Sequence, residues 1–148
     1  MARPPHSDTT TAGIRIQAAA EFLPHDNLPP EFLAAGADRG KHFVFRYKIT
    51  MTNVGDEPAR LLQRHWIIVD GEGRREDVRG RGVVGEFPKL GPGESYSYVS
   101  FCPLATKWGT MEGSYTFERD DGRRFQVAVG RFLLVPTAPP LQLESGSR

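Results

Sequence analysis

The sequence predicts an all-β domain, an antiparallel β-sandwich of about seven strands in two packed sheets. Three observations carry this. Sixteen glycines and twelve prolines punctuate the 148 residues, leaving few runs long enough for a helix. Apolar and polar residues alternate from Phe43 to Thr52, the period of a half-buried strand. Turn residues then recur between short runs rich in β-branched and aromatic side chains.

The first strand is Ile14 to Phe22, with Ile14, Ile16 and Phe22 on one face. Phe43 to Thr52 is the second, and Asn53-Val54-Gly55-Asp56 turns the chain. Ala59 to Asp70 follows; its apolar end reads as a central strand covered on both faces. Asp70-Gly71-Glu72-Gly73 is a hairpin turn, and Arg74 to Val78 is a short return strand. Ser95 to Leu104, Gly113 to Arg119 and Arg123 to Val135 complete the set. Asp120-Asp121-Gly122 is a hairpin signal between the last two. Leu28 to Ala37 has room for one helical turn, with Pro29-Pro30 suited to its start. Residues 1–12 and 137–148 are rich in Pro, Thr, Ser and Gly. They read as flexible tails flanking a single domain of residues 13–136.

Composition narrows the function. The formal net charge is +1, which argues against electrostatic capture of nucleic acid or an acidic membrane. Cys102 is the one cysteine, so neither an internal disulfide nor a multi-cysteine metal site can form. That points to a reducing, cytoplasmic compartment. The N-terminus lacks the apolar core of a signal peptide, and no run approaches the ~20 apolar residues of a spanning helix. A soluble protein with no cofactor is expected, and any effect on ion transport is indirect.

The run Gly80-Arg81-Gly82-Val83-Val84-Gly85 has the GxGxxG spacing of a phosphate-binding loop. No strand-to-helix context surrounds it: Gly71 to Arg79 is glycine-rich and charged, and Phe87-Pro88 follows. A dinucleotide site is therefore excluded. Two readings stay open. The amides of Gly80, Gly82 and Gly85, with Arg79 and Arg81 beside them, form an anion nest for phosphate or pyrophosphate. Alternatively the glycines only turn the chain while Val83 and Val84 plug the core. Fifteen arginines against four lysines give the whole chain an arginine bias.

Other candidates are weaker. His65 has no neighbour at metal-ligand spacing, while Arg64 and Trp66 share the opposite strand face. The acidic residues Asp70, Glu72, Glu76 and Asp77 face Arg74, Arg75 and Arg79, as in a self-neutralising turn. Cys102 reads as a small buried apolar group, and Ser97 and Ser100 lack a nucleophile elbow. Trp108, after Lys107 and before Gly109, is either an interface anchor or the cover of one sandwich end.

Several motifs in one order identify a family. They are Arg64-His65-Trp66-Ile67-Ile68, Gly82-Val83-Val84-Gly85-Glu86-x-Pro88 and Pro92-Gly93-Glu94, then Tyr98-x-Ser100, Gly109-x-Met111-x-Gly113-x-Tyr115 and Phe125-x-Val127. Together they resemble the ApaG (CorD) family over roughly residues 14 to 136. The resemblance implies a fibronectin-III-like or immunoglobulin-like sandwich. It also implies a loose link to cobalt tolerance and magnesium efflux in bacteria, and relatives inside larger adaptor proteins. It supplies no enzymatic activity. Pro24 to Lys41 is longer than the family's usual connection.

The expectation is a non-enzymatic module that binds a protein partner through Arg79, Arg81 and exposed aromatic residues, with Lys107 and Trp108 as interface candidates. The alternative is a regulator binding a phosphate-containing small molecule, a nucleotide or pyrophosphate, at Arg79, Gly80, Arg81, Gly82 and Gly85. No metal site and no catalytic residue are expected. Monomer and homodimer stay open.

Overall fold

The computed structural model describes residues 6–24, 41 and 43–136. Nine strands follow in chain order: β1 (His6–Thr11), β2 (Ile14–Leu23), β3 (Phe43–Asn53), β4 (Ala59–Asp70), β5 (Arg75–Arg81), β6 (Lys89–Leu90), β7 (Ser95–Leu104), β8 (Gly109–Arg119) and β9 (Arg124–Leu134). One sheet has the order β1-β2-β3-β7; the other runs β5-β4-β8-β9, with β6 paired to the start of β4. All pairings are antiparallel. The two-sheet sandwich is as expected, with two strands more.

Alternation decides what faces inward. On β3, Phe45, Tyr47, Ile49 and Met51 are buried while Arg46 and Lys48 are exposed. Trp66 of β4 lies at the centre, edge-on to Tyr47 across the sheets at 5.5 Å between ring centroids. It also meets Tyr115 at 6.0 Å and Phe132 at 6.2 Å. Such edge-to-face contacts add to the burial of large rings.

Four expectations are corrected. Strand β4 is central, yet its outer face, from Gln63 through His65 and Ile67, stays partly exposed; this sheet is covered on one face, as antiparallel sheets often are. Strand β5 runs on to Arg81. Strand β8 begins at Gly109 because its pairing with β4 runs without a break from Gly113 to Gly109, opposite Trp66 to Asp70. The fourth concerns residues 6–11, read from composition as tail, which form β1. Thr9 Oγ1 donates to the Ala128 carbonyl at 3.0 Å, and the Ala128 amide donates to Thr11 Oγ1 at 3.3 Å. Gly130 makes room, since a Cβ there would lie 2.9 Å from Thr9 Cγ2. A strand of hydroxyl residues thus docks by side-chain hydrogen bonds, which a count of apolar residues does not register. The helical turn placed at Leu28 to Ala37 and the tail at residues 137–148 lie outside the described residues.

Strand β1 therefore closes the sandwich against β9 on one side. On the other side β5 and β7 are sheet edges that do not pair with each other. Among the described residues no helix is long and apolar enough to cross a membrane.

A chain starting at Ala12 is expected to lose about 2 kcal/mol or more, from two hydroxyl–backbone bonds at ~1 kcal/mol each. Its thermal midpoint then falls by roughly 5 °C or more. An unchanged midpoint in a melting curve would make residues 6–11 dispensable to the fold.

Candidate functional site at the glycine hairpin

After Arg81 the chain reverses over a two-residue loop. Val83 and Glu86 exchange amide-to-carbonyl bonds of 2.9 and 2.8 Å, and the Gly82 amide donates to the Leu62 carbonyl at 2.8 Å. Val84 and Gly85 both have positive φ, 43° and 81°, as a type I′ turn requires of its two central residues. Gly82 has φ 64°, and a Cβ there would lie 2.4 Å from the Glu86 carbonyl oxygen. The turn chemistry is thus present at Gly82 and Gly85. The amides of Gly82, Val83 and Glu86 are committed to carbonyls, which removes donors from a backbone nest. Val83 is fully buried, but Val84 is 56% exposed. Only one of the two valines plugs the core, because the central residues of so tight a turn project from the sheet.

Gly80 serves a different purpose. A Cβ there would sit 2.6 Å from Arg64 Cζ. The guanidinium occupies that space, and its Nη1 donates to the carbonyls of Arg81 (3.1 Å) and Gly82 (2.8 Å). Arg64 lies on the same strand face as Trp66, and a charge on the buried face is the signal that marks it in the sequence.

The arginine bias resolves into two populations. Arg60, Arg64, Arg79 and Arg81 have no carboxylate partner among the described residues. Every other described arginine, from Arg15 with Asp8 to Arg131 with Glu112, forms an ion pair. The Arg74 side chain holds the Asp70 carboxyl below its usual range, and Arg75 and His65 do the same to Asp77. The unneutralised four lie on β4 and β5, the strands next to the hairpin: Arg60 Nη1 donates to the Phe87 carbonyl at 2.8 Å, and Arg81 lies over the Phe87 ring, 5.4 Å from its centroid. With Gln63, His65 and Thr116, Arg79 and Arg81 border a shallow basin of about 480 Å³ on the outer face of β4 and β5.

His65 is the cross-strand neighbour of Ser114, and its Nε2 lies 2.7 Å from Asp77 Oδ2. These are the residue types of a hydrolytic triad, but Nε2 is bonded to the carboxylate and no hydrogen bond joins Ser114 to the ring. A serine so placed has no base to activate it. Burial pushes the Cys102 thiol up to about 12, which keeps it protonated. Among the described residues no group of three His, Cys, Asp or Glu side chains is placed to hold a metal. Around the β4–β5 turn, Arg74 pairs with both Asp70 and Glu72 and Arg75 with Asp77, as expected of a self-neutralising turn, but Glu76 pairs with Lys41 and Arg79 has no carboxylate among the described residues.

Lys107 and Trp108 lie elsewhere. Trp108 is 47% exposed and rests on Gly71, where a Cβ would be 2.6 Å from its Nε1. Thr106 Oγ1 accepts from the Gly71 amide (2.8 Å) and donates to the Trp108 carbonyl (2.7 Å). Trp108 thus covers the β4–β5 turn while still showing an open face. Gly71 is seven residues beyond Arg64 on an extended strand, roughly 20 Å away. The two groups of candidate residues are separate places on the surface.

The model of the ApaG domain matches residues 35–119. Protein ApaG of Aromatoleum aromaticum is 43% identical over 128 residues, 86% of this chain and 94% of that protein. The chain belongs to the ApaG family. Protein ApaG of Bdellovibrio bacteriovorus is 43% identical over 127 residues, covering 86% and 93% of the two chains. A crystal structure from Bordetella pertussis, of a protein given the name ApaA, superposes with a TM-score of 0.70 at 38% identity. That superposition covers 88% of this chain and 94% of that one. The glycine hairpin lies wholly inside the matched ApaG domain.

Three substitutions separate turn geometry from ligand binding. Gly82→Ala is expected to cost about 2 kcal/mol or more, through positive φ and a backbone clash. Gly85→Ala, with open space around it, costs about 1 kcal/mol, and Gly85→Asn less, because Asn tolerates the left-handed region. Denaturant titration of the three variants checks that order.

Proposed function

We propose that this ApaG domain is a non-enzymatic, protein-binding module whose glycine hairpin engages an acidic partner segment carrying an apolar side chain. One observation carries the reading: the four arginines without a carboxylate among the described residues lie on β4 and β5, the strands next to a hairpin that presents an exposed valine in the left-handed region. A β-branched residue at positive φ costs about 1–3 kcal/mol, and such strain gathers at functional sites. Val84, 56% exposed, and Phe87, 37% exposed, form an apolar tip with cations around it. Such a surface suits a partner that offers carboxylates around one aliphatic or aromatic anchor. The module acts in the cytoplasm, and the family's link to cobalt tolerance and magnesium efflux runs through the partner, not through a bound metal.

A second reading draws on the same cations. The basin beside Arg79 and Arg81 suits a phosphate-bearing small molecule, a nucleotide or pyrophosphate, held by side chains in place of the committed hairpin amides. Calorimetric titration with pyrophosphate and ATP tests it: saturable binding lost in Arg81→Ala supports this reading, and no heat removes it.

The deciding variant for protein binding is Val84→Asn. It relieves the backbone strain and is expected to raise stability by about 1 kcal/mol while abolishing partner capture. Quantitative affinity enrichment from cytosolic extract compares it with wild type and Arg81→Ala. The reading requires proteins lost from both variants; identical enrichment by all three sinks it.

A further inference from the structure

The outer face of β5, β4, β8 and β9 sets side chains in rows across the sheet, because residues opposed in an antiparallel register share a face. Gln63 stands opposite Arg81 on one side and Thr116 on the other, and Thr116 stands opposite Gln126. In the next row His65 lies between Arg79 and Ser114. These two rows line the basin of about 480 Å³, within the ~300–1,000 Å³ of most ligand pockets. Its exposed cations, Arg79 and Arg81, are two residues apart on one strand, so their side chains rise from the same face roughly 7 Å apart. Among the described residues no carboxylate lines the basin. Asp77, one row beyond, is already held by Arg75 and His65.

The neutral lining is built for hydrogen bonding. The Ser114 hydroxyl and the Gln63 amide have no partner among the described residues; Gln63 is exposed, and the Ser114 oxygen is open to solvent. Gln126 Nε2 donates to Thr116 Oγ1 at 2.9 Å, which leaves the amide oxygen and the threonine proton to spare. The Asp77 carboxylate only accepts, so His65 Nε2 carries the proton between them, and Nδ1 of the neutral ring is an acceptor. Among the described residues no Phe, Tyr or Trp lines the basin. A nucleobase or an apolar body would therefore find no such ring to lie on.

Resting on the reading of this basin as the place for a phosphate-bearing small molecule, we infer that its ligand is the phosphate monoester of a sugar or polyol. Such a phosphate carries close to two negative charges at neutral pH. It matches the two guanidinium groups in charge, and their planar forks suit its oxygens. The hydroxyls of the body exchange bonds with water for bonds with Ser114, Thr116, Gln63 and Gln126, which offer both donors and acceptors. A body without hydroxyls leaves those groups unanswered and is bound less well. The basin is shallow, so much of the ligand stays in water and affinity is on the order of millimolar.

Titration of isotopically labelled protein with glucose 6-phosphate is expected to move the backbone amide resonances of Arg79, Arg81 and Ser114 saturably. Inorganic phosphate, and phenyl phosphate with its flat apolar body, are each expected to bind about fivefold more weakly or worse. Ser114→Ala is expected to weaken glucose 6-phosphate about threefold and to leave pyrophosphate unchanged. Arg79→Gln is expected to weaken both ligands about tenfold. Neither side chain holds another part of the chain, so both variants are expected to melt as wild type does. The sugar phosphate is overturned, with the basin kept as a phosphate site, if pyrophosphate binds saturably but glucose 6-phosphate binds no tighter than phenyl phosphate. The same follows if Ser114→Ala leaves glucose 6-phosphate unchanged or weakens pyrophosphate equally. No saturable shift with either pyrophosphate or glucose 6-phosphate overturns both the sugar phosphate and the phosphate site.

Discussion

The Arg64 guanidinium is the constraint on which this end of the molecule depends. It stands half-buried on the inward face of β4, where hydrogen bonds replace part of the hydration the cation loses. Two backbone carbonyls, of Arg81 and Gly82, meet part of that need. Those bonds fix the end of β5 against β4, and the room for them exists because residue 80 has no side chain. The hairpin inherits its position from this contact. Its left-handed turn then follows from the two-residue connection between Val83 and Glu86, and Val84 is carried outward. One charged side chain thus links the glycine spacing to the strained tip.

The rest of the sandwich supplies the rigid frame that such a charge needs. The Tyr98 and Tyr115 hydroxyls, one from each sheet, meet at 2.6 Å in the core. Burial raises the pKa of both, so the pair stays neutral and costs no buried charge. Asn53, fully buried, donates from Nδ2 to the carbonyls of Glu57 and Leu90 and accepts the Gly55 amide. That satisfied amide fastens the corner where the chain leaves one sheet for the other. Buried polar groups with every partner in place specify a single arrangement.

Much of this was legible in the sequence because a sandwich writes its faces at period two. The Phe43 to Thr52 alternation and the turns at Asn53-Val54-Gly55-Asp56, Asp70-Gly71-Glu72-Gly73 and Asp120-Asp121-Gly122 all appear as read. What escaped depended on contacts between distant parts of the chain. Strand β1 is held by Thr9 and Thr11 to Ala128, more than a hundred residues away, and polar composition gave no hint of order. The role of Gly80 is invisible until β4 and β5 are paired. The arginines looked like a uniform bias, since neighbours in sequence do not reveal which carboxylate each will meet. Only their pairing in space separates the four at the hairpin from the others.

The two sides of the sandwich are unequal, and that inequality places the chemistry. Against β9, the Thr9 and Thr11 hydroxyls of β1 bond the Ala128 backbone and hold the seam, while the buried Ser7 hydroxyl has no partner among the described residues. Between β5 and β7 no strand of the described residues joins the sheets; nearby, the buried Trp66 N–H has no acceptor and Arg64 has no carboxylate among the described residues. An edge strand is open to pairing by another chain unless charge or shape discourages it. Here the side chains of Arg75, Asp77, Arg79 and Arg81 crowd the β5 edge, which favours recognition through side chains over strand addition. The cations without a carboxylate gather on this side, on β4 and β5, and the hairpin follows directly from the end of β5. Recognition at the tip therefore depends on Arg64, whose bonds to the Arg81 and Gly82 carbonyls set where the hairpin stands.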